Sequence, residues 1–127
     1  MLDSSMSQLR CMASPGLQPD DQPIDFAHLF RMTLGDHSLE REVLELFDRQ
    51  VELLIGRMAA SGPAGIAALA HTLKGSARGI GAWGVAAAAE SVEVASTSAD
   101  ELSAAVEALS QAAGKARETI AVHLLAR

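Results

Sequence analysis

Tyrosine is absent from the sequence, and three phenylalanines with one tryptophan are its only aromatic residues. A core built from such a chain must be aliphatic and alanine-rich, which suits closely approaching helices because alanine has the highest helix propensity. Cys11 is the only cysteine, so no internal disulfide can form, and 127 residues can close one hydrophobic core without a disulfide or metal staple. Basic residues are in the minority, ten against sixteen acidic ones, for a formal charge of −6. That balance, with no basic stripe and no interleaving of aromatic and basic residues, excludes an unspecific nucleic-acid binder. No apolar run approaches the roughly 18 residues of a spanning helix, and the N-terminus has no apolar signal-peptide core. The expectation is a soluble, cytoplasmic protein that does not engage a membrane. Alternation of apolar and polar residues is nowhere sustained, so no strand is expected.

Residues 1–22 read as a tail or linker, since three prolines occur by residue 23 among serines and the Asp20-Asp21 pair. A short helix over 2–12 is the one element that this tail suggests. From residue 23 onward the pattern is helical. Asp25 is placed to cap a short helix with Phe26, Leu29, Phe30 and Met32 as its apolar residues, and Leu34-Gly35-Asp36 breaks it. A long helix then starts at Asp36 or Ser38. Leu39, Val43, Leu46, Phe47, Gln50, Val51, Leu54 and Met58 recur along it at spacings that read as its inner face, with Glu40, Glu42, Glu45, Asp48, Arg49 and Glu52 on the solvated side.

Ser61-Gly62-Pro63 closes that helix and opens the next, proline fitting the first helical turn. The third helix runs from 64 to 79 or 80, where Gly79 and Gly81 supply its stop. An alanine-rich helix over 82–95 follows, with Val85, Ala89 and Val92 at helical spacing. After the Ser96-Thr97-Ser98 turn a last helix carries Leu102, Val106, Leu109, Ala113, Ala116, Ile120 and Leu124. Four amphipathic helices joined by short turns predict an all-α, antiparallel up-and-down four-helix bundle over 23–127, with the short N-terminal helix lying across it.

The third helix organises the rest. Placed at about 100° per residue, Ile66, Leu69, Ala70, Leu73, Ala77 and Ile80 form one apolar stripe. His71, Lys74, Gly75 and Arg78, at the i+3, i+4 and i+7 spacings, lie together on another face. An imidazole is thus presented outward beside two cations. Glycine inside a helix costs about 0.5–1 kcal/mol relative to alanine, so Gly75 calls for a reason. It bares the backbone one turn from His71, and Ala67 and Ala68 keep the preceding turn small. The pattern implies that another molecule comes close to the ring.

In His71, Leu73, Lys74, Gly75 and Gly81 the sequence resembles the histidine-containing phosphotransfer (HPt) domains of multistep two-component phosphorelays, whose signature has a hydrophobic residue, lysine and glycine at +2, +3 and +4 and a further glycine about ten positions on. Gly35-Asp36, Phe47 and Val92-Glu93, the last where the family usually shows Leu-Glu, extend the resemblance from about residue 24 to the C-terminus. It implies that one ring nitrogen of His71 carries a phosphoryl group and that Lys74 helps to hold it. Arg78 in the same role is inferred from the wheel, and Gly75, Ala67, Ala68 and Gly79 provide clearance for docking. Implied partners are receiver domains of response regulators or a hybrid histidine kinase, acting on a monomeric carrier.

On this reading the chain is a carrier and not an enzyme. It has no GxxxxGK[ST] loop, no kinase-like glycine loop and no carboxylate cluster for Mg²⁺. The receiver is expected to bring the aspartate, the metal and most of the catalysis, and no cofactor is expected on this chain. Two other readings stand beside it. One is an HPt-like module that docks a receiver without accepting phosphate. The other is a metal-binding bundle, which the missing Glu-x-x-His and HExxH spacings disfavour. His28, His37 and His123 read as surface or helix-end residues, and Trp83 as a cap near the end of the histidine helix.

Overall fold

A computed structural model describes residues 22–126. Cys11, Asp20-Asp21 and the helix suggested for 2–12 lie outside the described residues. Five α-helices follow: α1 Phe26–Met32, α2 His37–Met58, α3 Pro63–Ile80, α4 Trp83–Val94 and α5 Ala99–Leu125, with a 3₁₀ turn at Ala95–Thr97 before α5. The long helices alternate in direction through short connections. Each packs on the next, and α5 returns against α2 to close the bundle.

The helix ends follow from local chemistry. The Asp25 carboxylate accepts from the His28 backbone N–H at 3.1 Å, and Asp36 accepts from Ser38 and Leu39 at 2.9 and 3.1 Å; each satisfies donors that a helix start leaves open. Pro63 takes the first turn of α3. Gly81 ends α3 with φ 87°, and the next N–H, that of Ala82, donates back to the Ala77 carbonyl at 2.8 Å. A Cβ on Gly81 would also lie 2.9 Å from the Asp25 carbonyl oxygen, where the Gly81 carbonyl accepts from the Asp25 N–H. One glycine therefore both stops α3 and seats the start of α1 across the bundle end.

Ile24, Leu29, Leu44, Leu73, Leu109 and Ile120 are fully buried, each contributing about 1.5–3 kcal/mol of apolar transfer. Ala70, Ala77, Ala89, Ala113 and Ala116 fill the spaces between axes. On α3 the expected stripe is present, with Ala70, Leu73, Ala77 and Ile80 buried and Ile66 and Leu69 packed at its edge. In α5, Leu102, Leu109, Ala113, Ala116 and Ile120 are buried as expected.

The inner face of α2 is rotated from the expected one. Glu40, Leu44, Phe47, Val51, Leu54 and Met58 are buried, whereas Leu39 and Leu46 are 40% and 59% exposed. On one flank α2 meets α5 through polar contacts. Arg117 clasps Asp48 with contacts of 2.8 and 3.4 Å, and His123 reaches Glu40 at 3.2 Å, turning that flank of α2 inward. Asp48 holds the Arg117 guanidinium above its ordinary pKa. Phe30 and Met32 of α1 are likewise about half exposed, leaving Leu29 as its buried residue.

Candidate functional site

His71 projects from the middle of α3 with 71% of its side chain exposed. Its Nδ1 lies 2.7 Å from Oε2 of Glu93 on α4. The other carboxylate oxygen, Oε1, is 2.7 Å from Nζ of Lys74, whose side chain is largely covered. A single carboxylate thus bridges the imidazole and the ammonium. Lys74 first, then His71, hold the Glu93 carboxyl below its ordinary pKa through these hydrogen bonds, against a smaller opposing effect of burial. The carboxylate is ionised and can only accept, so Nδ1 carries a proton and donates it to Glu93. In the neutral ring the lone pair then sits on Nε2. This is the tautomer that an imidazole needs to act as a nucleophile at its outer nitrogen.

The sequence reading grouped His71, Lys74, Gly75 and Arg78 on one face, and they share it here. Arg78, however, reaches to Glu90 of α4 at 3.2 Å, away from the His71–Glu93 pair. Gly75 is exposed, and a Cβ built on it or on Gly79 would meet nothing within 4 Å. No contact inside the bundle explains these two glycines. Ala68 is exposed and Ala67 half-buried, so the surface beside the ring stays low.

Glu93 is the neighbour of His71 and Lys74 that the spacing of residues along α3 does not single out. It appeared only as part of the resemblance, 22 positions beyond His71. Its role becomes visible once the α3–α4 hairpin brings Val92 into the core and turns the next residue toward α3. The remaining histidines sit at helix ends but are not idle. The His28 ring nitrogen Nε2 lies 3.1 Å from the Gly79 carbonyl oxygen, and the ring meets Trp83 edge-on at 4.9 Å. Trp83 Nε1–H donates to Asp25 at 2.9 Å, the main reason that this carboxyl is held below its ordinary pKa. The tryptophan therefore pins α1 to the start of α4. Among the described residues no three His, Cys, Asp or Glu side chains gather as a metal-holding group. No helix among them is long and apolar enough to cross a membrane.

A bundle that offers one exposed, tautomer-fixed imidazole beside a lysine defines the class of histidine phosphotransfer proteins. Comparison with known proteins agrees: residues 38–122 match the model of the Hpt domain, and the chain belongs to that family of phosphorelay phosphocarriers. It is similar to the crystal structure of the histidine phosphotransferase ShpA from Caulobacter crescentus, at 32% identity over 80% of this chain and 98% of that one, with a TM-score of 0.53. No curated protein matches the chain.

Proposed function

We propose that His71 is the phosphoacceptor, taking a phosphoryl group from the aspartyl phosphate of one receiver domain and passing it to the aspartate of another. The observation that carries this reading is the 2.7 Å bond from Nδ1–H to Glu93 on a ring that is otherwise exposed. In the forward step the Nε2 lone pair attacks phosphorus and the bond from phosphorus to the aspartyl oxygen breaks, releasing a carboxylate. The positive charge that develops on the ring is shared through Nδ1–H with Glu93. The reverse step expels neutral imidazole in the same tautomer, so one hydrogen bond serves both directions.

A phosphoryl group brings about 1.5–2 negative charges. Lys74 and Arg78 are the cations on this face, and each exchanges part of its hold on a carboxylate, Glu93 or Glu90, for phosphoryl oxygens. The receiver contributes the aspartate and the Mg²⁺. The low surface over Ala67, Ala68, Gly75 and Gly79 lets that partner approach the ring.

The test is to incubate the chain with a phosphorylated receiver from its own organism and follow acid-labile phosphate on the peptide that contains residue 71. The wild type is labelled. His71→Gln shows complete loss of label with unchanged helical circular dichroism. A wild-type chain that binds receivers and never becomes labelled is an interaction module, and this assignment is then wrong.

A further inference from the structure

α2 carries a second seam beside the one that faces the core. Leu39, Val43, Leu46, Gln50 and Leu53 recur along it at spacings of four, three, four and three. Val43 and Gln50 are half-buried, while Leu39, Leu46 and Leu53 are 40%, 59% and 52% exposed. Such a repeat is the pattern along which one helix receives another. Asp48, two residues beyond Leu46 and about 160° around the helix, faces Arg117 of α5, so the seam lies on the flank of α2 away from α5.

Residues 2–13 carry the matching pattern. Leu2, Met6, Leu9 and Ala13 are spaced by four, three and four, and on a helical wheel they fall within about 60°, with Ser4, Ser7 and Cys11 opposite. Pro15-Gly16 then supplies a stop. The tether places this segment as well. The Asp25 N–H donates to the Gly81 carbonyl at 2.9 Å, so the described chain begins beside the end of α3. α2 runs antiparallel to α3 and starts at that same end, with Leu39 nearest to it. Residues 14–21 span at most about 28 Å, against roughly 8–10 Å between neighbouring helix axes.

We infer that residues 2–13 wind into a helix on this seam, antiparallel to α2, with Met6 and Leu9 against Leu46 and Ala13 toward Leu39. The direction follows from the tether, which holds the Ala13 end near the start of α2. A free helix of about 12 residues is marginal in water, so packing on the seam is what stabilises this one. A short tether gives an effective concentration of about millimolar, enough for a contact too weak to hold separate molecules together. The occupant is part of the same chain, and the leucines are covered while the protein stays monomeric.

Cys11, the only cysteine, falls on the outer side of that helix and takes a nitroxide label without blocking the contact. In the full chain the label should broaden the backbone amide signals of residues 39–46 more than those of residues 83–88, which lie at the same end of the bundle. Leu9→Glu and Leu46→Glu, one on each side of the contact, should each abolish that difference and leave the other amide shifts unchanged. Broadening that is equal at the two places, or that survives either variant, overturns the inference. A labelled chain mixed with an unlabelled, ¹⁵N-enriched one should show no broadening; broadening there gives the seam to a second copy and overturns it equally. An unbroadened seam does the same, and where a phosphorylated receiver then shifts those amides the seam belongs to that partner.

Discussion

The molecule contains two histidine–glutamate pairs that use the ring in opposite ways. At His71 the carboxylate takes Nδ1, the nitrogen nearer the backbone, and leaves Nε2 facing solvent. At His123 the carboxylate of Glu40 takes Nε2, the outer nitrogen, at 3.2 Å, and the ring stacks on Phe26 at a centroid distance of 4.5 Å. The carboxylates differ as well. Glu40 is buried, with only 6% of its side chain exposed, whereas Glu93 retains 23%. One pair leaves the outer nitrogen exposed; the other commits its outer nitrogen to a hydrogen-bond contact with a buried carboxyl group. The same two residue types are chemically available in the first case and structural in the second, and the nitrogen that is bound makes the difference.

Truncating each carboxylate breaks this comparison with the largest expected effects. Glu93→Ala frees the His71 tautomer and slows labelling by at least about tenfold, while the thermal midpoint hardly moves. Glu40→Ala leaves the labelling rate unchanged and destabilises the bundle by about 2 kcal/mol, because His123 loses the partner for its covered ring nitrogen. Initial labelling rates and chemical denaturation of both variants give a crossed pattern. Labelling that falls equally in both would show that the two pairs are not separable.

The pairs also differ in how visibly the sequence announces them. Asp25, Asp36, Pro63 and Gly81 were legible because capping, the first-turn proline and a left-handed stop each depend on a few neighbouring residues. The face bearing His71 was legible for the same reason, since spacings of three, four and seven residues decide it. Glu40 was read as solvated, and Leu46 as part of the core. Along α2 the apolar residues fit two adjacent stripes, and the buried one, Leu44, Phe47, Val51, Leu54 and Met58, is chosen by the helices that pack on it, with Arg117 and His123, 69 and 83 residues away from their partners, meeting its flank. Glu93 needed a hairpin before its distance from His71 meant anything. What periodicity cannot supply is the side from which a neighbouring helix arrives.

The acid response sharpens the comparison next. The Glu93 carboxyl is held below its ordinary value by Lys74 and His71. A group whose pKa is depressed by folding contributes stability that is fully present above its unfolded value and is lost as pH falls through the lowered, folded one. The stability difference between wild type and Glu93→Ala, small at neutral pH, should therefore vanish toward acid and never grow there. Denaturation midpoints of the two proteins from neutral pH down to about 3 check the sign, given an ordinary carboxylate near 4.3.

The smallest effects concern the second basic side chain at each carboxylate. Lys74 sits 2.7 Å from Glu93 with 16% of its side chain exposed; His37 is 3.7 Å from Glu40 with 60% exposed. Under the proposed function, removing this short, covered ion pair relaxes the carboxylate beside His71 and takes away a cation for the phosphoryl group. Lys74→Ala should slow labelling by about fivefold, corresponding to roughly 1 kcal/mol. At the other site the contact is long and exposed, and His123 already contacts Glu40, so His37→Ala should change stability by less than about 0.5 kcal/mol. The paired result separates a lysine that acts on the exposed histidine from a histidine that merely lies near a buried acid. A His37→Ala variant as damaged as Glu40→Ala would mean that the Glu40 charge depends on both rings, and the structural pair would then be a three-residue network.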